Sequence, residues 1–301
     1  MRNITTILLQ YYAGLVYIFL YFPIALVVLF SFNSGNYAAE ILGFSFRWYG
    51  ETWRDPFVLE ALGNSIFIGA TSATLSTVIG TMAALALQNV HGWQRTLYDG
   101  LIYIAIIIPG IVIGIATLIF FVQFFGWLNP LLQTQFGPSA PRVNLGLPTV
   151  IAAHTLFTMS IVLVIVRARI TGMDRSLIEA SSDLYATPIN TFWQVTLPQL
   201  LPAIMAGFLL AFTFSFDDFI VAFFVAGPNT TLPIYVFSSI RRGVTPKINA
   251  IATVTLLVSL TFLFLVQYLL NRSRNSGTIN SGAVSSRNPT KPARLTRPSL
   301  P

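Results

Sequence analysis

The chain reads as an all-α integral membrane protein of six transmembrane helices, and three observations carry that reading. Hydrophobic residues fill 54% of its positions and charged residues only 9%, against about 25% charged in an ordinary soluble domain. A water-soluble fold cannot hide that much apolar surface, whereas a bilayer can. Apolar runs of about 20 residues, the length a helix needs to cross hydrocarbon, recur six times, at 12–32, 63–88, 100–124, 147–166, 200–225 and 249–270. All but the fifth contain no Asp, Glu, Lys or Arg. Each must be helical, because an unpaired backbone amide in lipid costs several kcal/mol.

The first run is longer than the ~7–15-residue apolar core of a cleaved signal peptide, and only Arg2 precedes it, so it is expected to stay as a membrane helix. It forms, with the loop after it, a first segment over 1–62. Five further helices make a core over 63–270, and 271–301 form a basic tail. That tail is rich in Ser, Asn, Pro and Arg and has little to bury, which predicts disorder.

Six crossings place both termini on one side. Arg2, Arg95, Arg167, Arg169, Arg175, Arg272 and Arg274 lie near spans on that side; Arg47, Arg54, Arg142, Arg241, Arg242 and Lys247 lie on the other. The positive-inside rule barely separates the two sets, and the basic tail tips the vote toward cytoplasmic termini. The outer loops are then 33–62, 125–146 and 226–248, with Trp48, Trp53 and Trp127 as interfacial anchors.

Several function classes drop out. The chain has no cysteine, which excludes disulfides, thiolate metal sites and thiol catalysis. The formal charge of +7 is largely a property of the tail, where Arg272, Arg274, Arg287, Lys291, Arg294 and Arg297 fall. It suits anionic lipid headgroups better than nucleic acid. No Gly-x-x-x-x-Gly-Lys-[Ser/Thr] loop is present to cradle ATP phosphates. His91 beside Gly92 reads as a solvated loop residue, and His154 in the fourth span as a bonding partner for a neighbouring helix. Neither makes a metal site, and no cofactor is expected.

The long inner loop, 167–199, predicts two short helices at an elbow. Asp174 is placed to cap a helix starting near Arg175, which ends ahead of Thr187-Pro188. Thr187 caps the second, with Pro188 at its first position. Leu197-Pro198 marks a further break before the fifth span. Glu179 and Asp183 stand one turn apart on the first helix, with small Ala180 and Ser181 between them. Ile189, Phe192, Trp193 and Thr196 share a face of the second. A partner contact and an ordinary solvated interfacial helix both fit this pattern.

The fifth span carries Asp217 and Asp218. A carboxylate at mid-membrane costs about 2.5–3.5 kcal/mol and normally faces a cavity or a partner. Counting from Leu201 at about 1.5 Å per residue puts Asp217 about 24 Å up, in the outer third of a ~30 Å core. Adjacent helical residues diverge by about 100°, so the two acids cannot both aim at one ligand. Thr213 and Ser215 widen the polar stripe. Two readings stay open: the lining of an outward path for a cationic solute, or a structural pair bonded to another helix or chain.

Two stretches resemble a known family. Glu179-Ala180-Ser181, three residues, Tyr185, nine residues, then Val195-Thr196-Leu197-Pro198 resembles the EAA loop of permease subunits of ATP-binding-cassette importers. That pattern reads Glu-Ala-Ala, three residues, Gly, nine residues, Ile, any residue, Leu-Pro. Ser181, Tyr185 and Val195 depart from it. Tyr185 departs most, since glycine would permit a bend that tyrosine is not expected to copy. The stretch Ser215-Phe216-Asp217-Asp218-Phe219, with Gly227-Pro228, Leu232-Pro233-Ile234-Tyr235 and Arg242 to Ala250, is similar to the C-type permease of spermidine/putrescine importers.

The resemblance implies a type I ABC importer permease-like bundle in a bacterial inner membrane. Its coupling set would be Glu179, Ala180, Ser181, Asp183, Tyr185, Leu197 and Pro198, and its substrate path Asp217, Asp218, Thr213 and Ser215. The implied partners are a separate ATP-binding-cassette ATPase dimer, a second homologous permease, an extracytoplasmic solute-binding protein, membrane lipid and a small cationic solute. An importer of another small solute is an alternative. So is an ion-gradient-driven transporter or channel, although the internal repeats common in such folds are not visible. An intramembrane aspartyl enzyme fits poorly, because adjacent acids on one helix are badly placed to share a proton.

Overall fold

The computed structural model describes residues 4–37 and 40–284. Its elements are helices, joined by turns and a single isolated bridge between Asn33 and Phe44 among the described residues. Six helical stretches are long and apolar enough to cross a membrane: Leu8–Ser31, Pro56–Asn89, Gly110–Phe136, Leu147–Thr171, Pro188–Asp217 and Pro246–Leu265. Sides are named below by the chain: the terminal side holds the start of the first helix, and the distal side is opposite.

Helix α1 (Ile4–Ser31) stands off the bundle and packs along α12 (Pro246–Val284). Its Tyr12, Phe19 and Tyr21 are exposed, as expected of residues whose solvent is lipid. Beyond it, on the distal side, Asn33 organises a small cap. Its side chain donates to Glu40 O (2.7 Å) and accepts from Leu42 N (3.0 Å), and its carbonyl accepts from Trp48 Nε1 (2.8 Å). Trp48, on the short α2 (Arg47–Thr52), is therefore buried in this cap and is not the interfacial anchor expected of it; Trp53 and Trp127 are exposed.

Helix α3 (Pro56–Ala86) starts two turns before the expected residue 63. Asp55 caps it by accepting from Phe57 N (2.9 Å), and Pro56 takes the first position, where its missing amide costs nothing. The same carboxylate accepts from Lys247 Nζ and from Tyr235 OH (3.4 Å), so one side chain ties α3 to α12 and to α11 (Leu232–Arg242).

The third span is not the single helix expected over 100–124. Helix α4 (Trp93–Ile107) stops at Ile108, whose ψ of 131° is extended, and α5 (Gly110–Phe136) begins after Pro109. Proline disfavours helical geometry in the residue before it, a signal hidden inside an unbroken apolar run. Helix α6 (Leu147–Thr171) runs past 166 to Thr171, which brings Arg167 onto Asp99 of α4.

On the terminal side come α7 (Ser176–Asp183) and α8 (Pro188–Thr191). The break expected at Leu197-Pro198 does not occur. A π-turn over Phe192–Thr196 joins α8 to α9 (Leu197–Asp217) without interruption. In a regular helix the Pro198 ring would clash with the carbonyl four residues back, and the wider π-turn makes room for it. Helix α10 (Ile220–Val225) completes the fifth span after a break at Asp218. Helix α12 continues as helix through Val284, past the expected end near 270; the rest of the expected tail, 285–301, lies outside the described residues.

The core lies where α3, α6 and α9 pack together. Lipid gives apolar side chains no reason to leave it, so small residues and close backbone approach must hold such helices. Gly80 of α3 is placed so that a Cβ would sit 2.8 Å from Met159 O of α6. Val162, fully buried, fills the gap left by Gly207 of α9.

Candidate functional sites

The elbow on the terminal side is built from short-range rules. Asp174 accepts from Ser176 N (2.9 Å), and the hydrogen bonds from Ser176 hold its carboxyl below the usual range. Helix α7 ends in a full Schellman turn: Ala186 N donates to Ser181 O (3.1 Å) and Tyr185 N to Ser182 O (3.0 Å). That turn needs a left-handed residue at position 185, and Tyr185 supplies it at φ 57°, the only non-glycine residue with positive φ among those described. The expectation that tyrosine could not copy glycine's bend is thus corrected. Tyr185 copies it, with a side chain left 95% exposed and free of packing constraints.

Thr187 caps α8 by accepting from Asn190 N (3.4 Å). Glu179, Ala180 and Asp183 face out, alongside the exposed Leu184, Tyr185, Ile189 and Trp193. The elbow therefore offers two acids and a rim of large apolar side chains. Ser181 points the other way. It is buried, and its Oγ meets Thr191 Oγ1 at 2.8 Å, locking α7 against α8. Phe192 and Thr196 are half-buried, so the predicted shared face is divided at the π-turn. Leu197 is half-buried and Pro198 exposed. Arg169 Nε donates to Gln199 O (3.0 Å), pinning the end of α6 to the start of α9.

The second site is the break in the fifth span. Helix α9 ends at Asp217, and Asp218 is extended (φ −72°, ψ 122°), so the two acids are separated by more than a helical step and face different helices. Asp217 accepts from Ser259 Oγ of α12 (2.9 Å) and lines a cavity of about 330 Å³ with Leu232, Pro233 and Val236. Asp218 accepts from Ala222 N (3.1 Å) and lies 3.3 Å from His154 Nε2 on α6. Thr213 bonds back to Leu209 O (2.9 Å) within its own helix. Ser215 is buried, between His154 Nδ1 (2.7 Å) and Ser72 Oγ of α3 (2.8 Å).

The four predicted polar residues thus divide between two environments. His154 joins one of them, bonding a neighbouring helix as expected, though its place beside Asp218 was not legible in the sequence. Gly110 and Gly114 of α5 approach Ile220 and Phe224 of α10, so the broken third and fifth spans cross close to their breaks. Unwound backbone at membrane depth is tolerated only where protein or a water-filled path satisfies it.

A bundle of six spans with interrupted helices, an acidic break and an exposed elbow defines a membrane permease. Residues 76–275 match the family model described as the binding-protein-dependent transport system inner membrane component, and the chain belongs to that family. It is a transport subunit and not a catalytic one.

The chain is 39% identical over 257 residues to the putrescine transport system permease protein PotI of Escherichia coli (strain K12), covering 85% of this chain and 88% of that protein. It is 33% identical over 261 residues to the spermidine/putrescine transport system permease protein PotC of Haemophilus influenzae, covering 86% and 95%. The same fold occurs in a chain of a bacterial ABC transporter involved in the import of the acidic polysaccharide alginate. There the TM-score is 0.65 at 16% identity, over 91% of this chain and 98% of that one. A chain of the inward-facing MetNI methionine ABC transporter matches at TM-score 0.53 and 17% identity, over 74% and 98%. The chain is accordingly a multi-pass inner-membrane permease subunit of a binding-protein-dependent transport system.

Proposed function

We propose that this permease carries a small polyamine, putrescine or spermidine, inward, with its termini in the cytoplasm and its energy drawn from a separate ATPase. The observation that carries the cargo is the extended similarity to two polyamine permeases, which spans both the elbow and the acidic break. The physics agrees: a polyammonium cation needs acidic or carbonyl oxygens along its path, and Asp217 and Asp218 supply carboxylates at a break in a membrane helix.

The elbow is the contact for the ATPase. Glu179 and Asp183 present carboxylates beside the small Ala180, and Tyr185 with its apolar neighbours offers area to bury. Ser181 serves that contact from behind, by fixing α7 to α8, and Leu197-Pro198 carries its motion into α9. A second, homologous permease completes the pathway, and a solute-binding protein delivers cargo on the distal side.

Uptake of labelled putrescine by the complete transporter in proteoliposomes tests this. Saturable, ATP-dependent uptake, competed by spermidine and lost in Asp217→Asn, is expected. ATP-dependent uptake of an uncharged or anionic solute in place of putrescine would overturn the cargo.

A further inference from the structure

The proton positions around His154 follow from counting donors. Ser72 Oγ donates its single hydrogen to the carbonyl of its own helix, Ile68 O at 2.7 Å, with Gly69 O at 3.3 Å. Toward Ser215 Oγ, 2.8 Å away, it is then left only to accept. Ser215 spends its hydrogen on Ser72 and accepts from His154 Nδ1 at 2.7 Å. Nδ1 therefore carries a hydrogen. In a neutral imidazole that leaves Nε2 with a bare lone pair.

That Nε2 is buried on a side chain 1% exposed and has no hydrogen-bond partner among the described residues. Its polar neighbour is Asp218 Oδ2, 3.3 Å away and off the line of a hydrogen bond. A lone pair against an ionised carboxylate, inside a low-dielectric bundle, is repulsive. A proton between them, held either as imidazolium or as carboxylic acid, turns the same contact into an attraction. Among the described residues no Lys or Arg pairs with Asp218: α3, α5, α9 and α10 contain none, and Arg241 of α11, whose Phe237 packs on Phe219, lies over the Phe237 ring (5.9 Å) and not on the carboxylate. The arginines of α6 begin at Arg167, thirteen residues or about 20 Å along the helix. Asp217, the nearest other acid, turns to Ser259 on α12.

We infer that His154 and Asp218 form a binding site for a single proton at the break in the fifth span. The bound proton fastens the start of α10 to α6, adding to the hydrogen bond from Thr149 Oγ1 to Val225 O (2.6 Å) and to the apolar packing of Val150 and Ala153 on Val221 and Val225. It also cancels the charge of Asp218 inside the membrane. Because Ser72, Ser215 and His154 belong to α3, α9 and α6 in turn, the site reports whether the three core helices and the break keep this arrangement.

Nitrogen-15 NMR of histidine-labelled transporter, assembled with its partners in lipid at neutral pH, tests this directly. The chain has only two histidines, and His91→Gln identifies the second signal. The expected result is a His154 ring protonated at Nδ1, with the shared proton found in one of two places. Either Nε2 is protonated as well, or the infrared spectrum shows a carboxylic-acid band that disappears in Asp218→Asn. A neutral ring carrying its hydrogen on Nε2, or a neutral ring beside an ionised Asp218, overturns the inference. If Asp218→Asn fails to assemble, Asp217→Asn decides the neutral-ring case: an acid band that persists there belongs to Asp218, and a neutral ring with no such band overturns the inference.

Discussion

Ser181 and Thr191, ten residues apart on successive short helices, share a 2.8 Å hydroxyl–hydroxyl hydrogen bond that closes the elbow between α7 and α8. Both are buried. The bond ties α7 to α8, and the π-turn joins α8 to α9. Ser181→Ala leaves the Thr191 hydroxyl unpaired, a loss of about 1–3 kcal/mol. ATP hydrolysis by the assembled transporter is expected to persist while solute moved per ATP falls at least severalfold, read by paired uptake and phosphate-release assays. Because the chain lacks cysteine, Ser181→Cys with Thr191→Cys is a clean crosslink test, and the oxidised pair should restore the ratio.

Tyr185 holds a left-handed backbone that costs a residue with a Cβ roughly 1–2 kcal/mol, and its exposed side chain recovers little of that by packing. Tyr185→Gly is therefore expected to stabilise the elbow by about 1 kcal/mol, and Tyr185→Val to destabilise it. Limited proteolysis between α7 and α8 gives the comparison: cutting should slow in the first variant and quicken in the second.

At Gly80 the usual helix preference inverts. Replacing a mid-helix glycine by alanine ordinarily gains about 1 kcal/mol. Here the new methyl would meet the Met159 carbonyl at 2.8 Å and Val162 at 3.0 Å, and overpacking typically costs about 1–3 kcal/mol. Gly80→Ala should lower the melting temperature of the detergent-solubilised protein, whereas alanine at Gly63, where nothing lies within 4 Å, should not.

Arg167 hydrogen-bonds Asp99, and that bond, with the arginine charge, holds the Asp99 carboxyl below its usual range against the opposing push of burial. A depressed folded-state pKa contributes stability that is fully present above the unfolded value, about 3.9. It is lost as pH falls through the folded one. The tie between α4 and α6 should therefore hold at neutral pH and weaken only below about pH 4. Asp99→Asn should remove this part of the acid dependence, seen as a flatter melting-temperature curve between pH 6 and pH 3, roughly the window about that carboxyl pKa.

Much of this protein follows from the chain read locally. Six apolar runs of about 20 residues specify six spans, because a helix of that length crosses the hydrocarbon and satisfies its backbone within itself. Asp174, Thr187 and Pro188 place the elbow because capping depends on neighbours in sequence alone. The EAA-like spacing pointed to the importer family, to which the chain belongs. Pro109 could have disclosed the broken third span; nothing local discloses the break at Asp218.

What the tertiary structure decided is which way side chains face. Ser181 and Glu179 share a short helix, yet packing against Thr191 buries one and leaves the other exposed. Asp217 and Asp218 are adjacent, yet one meets α12 and the other α6. His154 gains its meaning from serines 82 and 61 residues away, Ser72 and Ser215. Such long-range pairings depend on helix crossings set by small residues such as Gly80 and Gly207. Local capping places the two helices of the elbow; the helix crossings determine which polar groups meet inside the membrane.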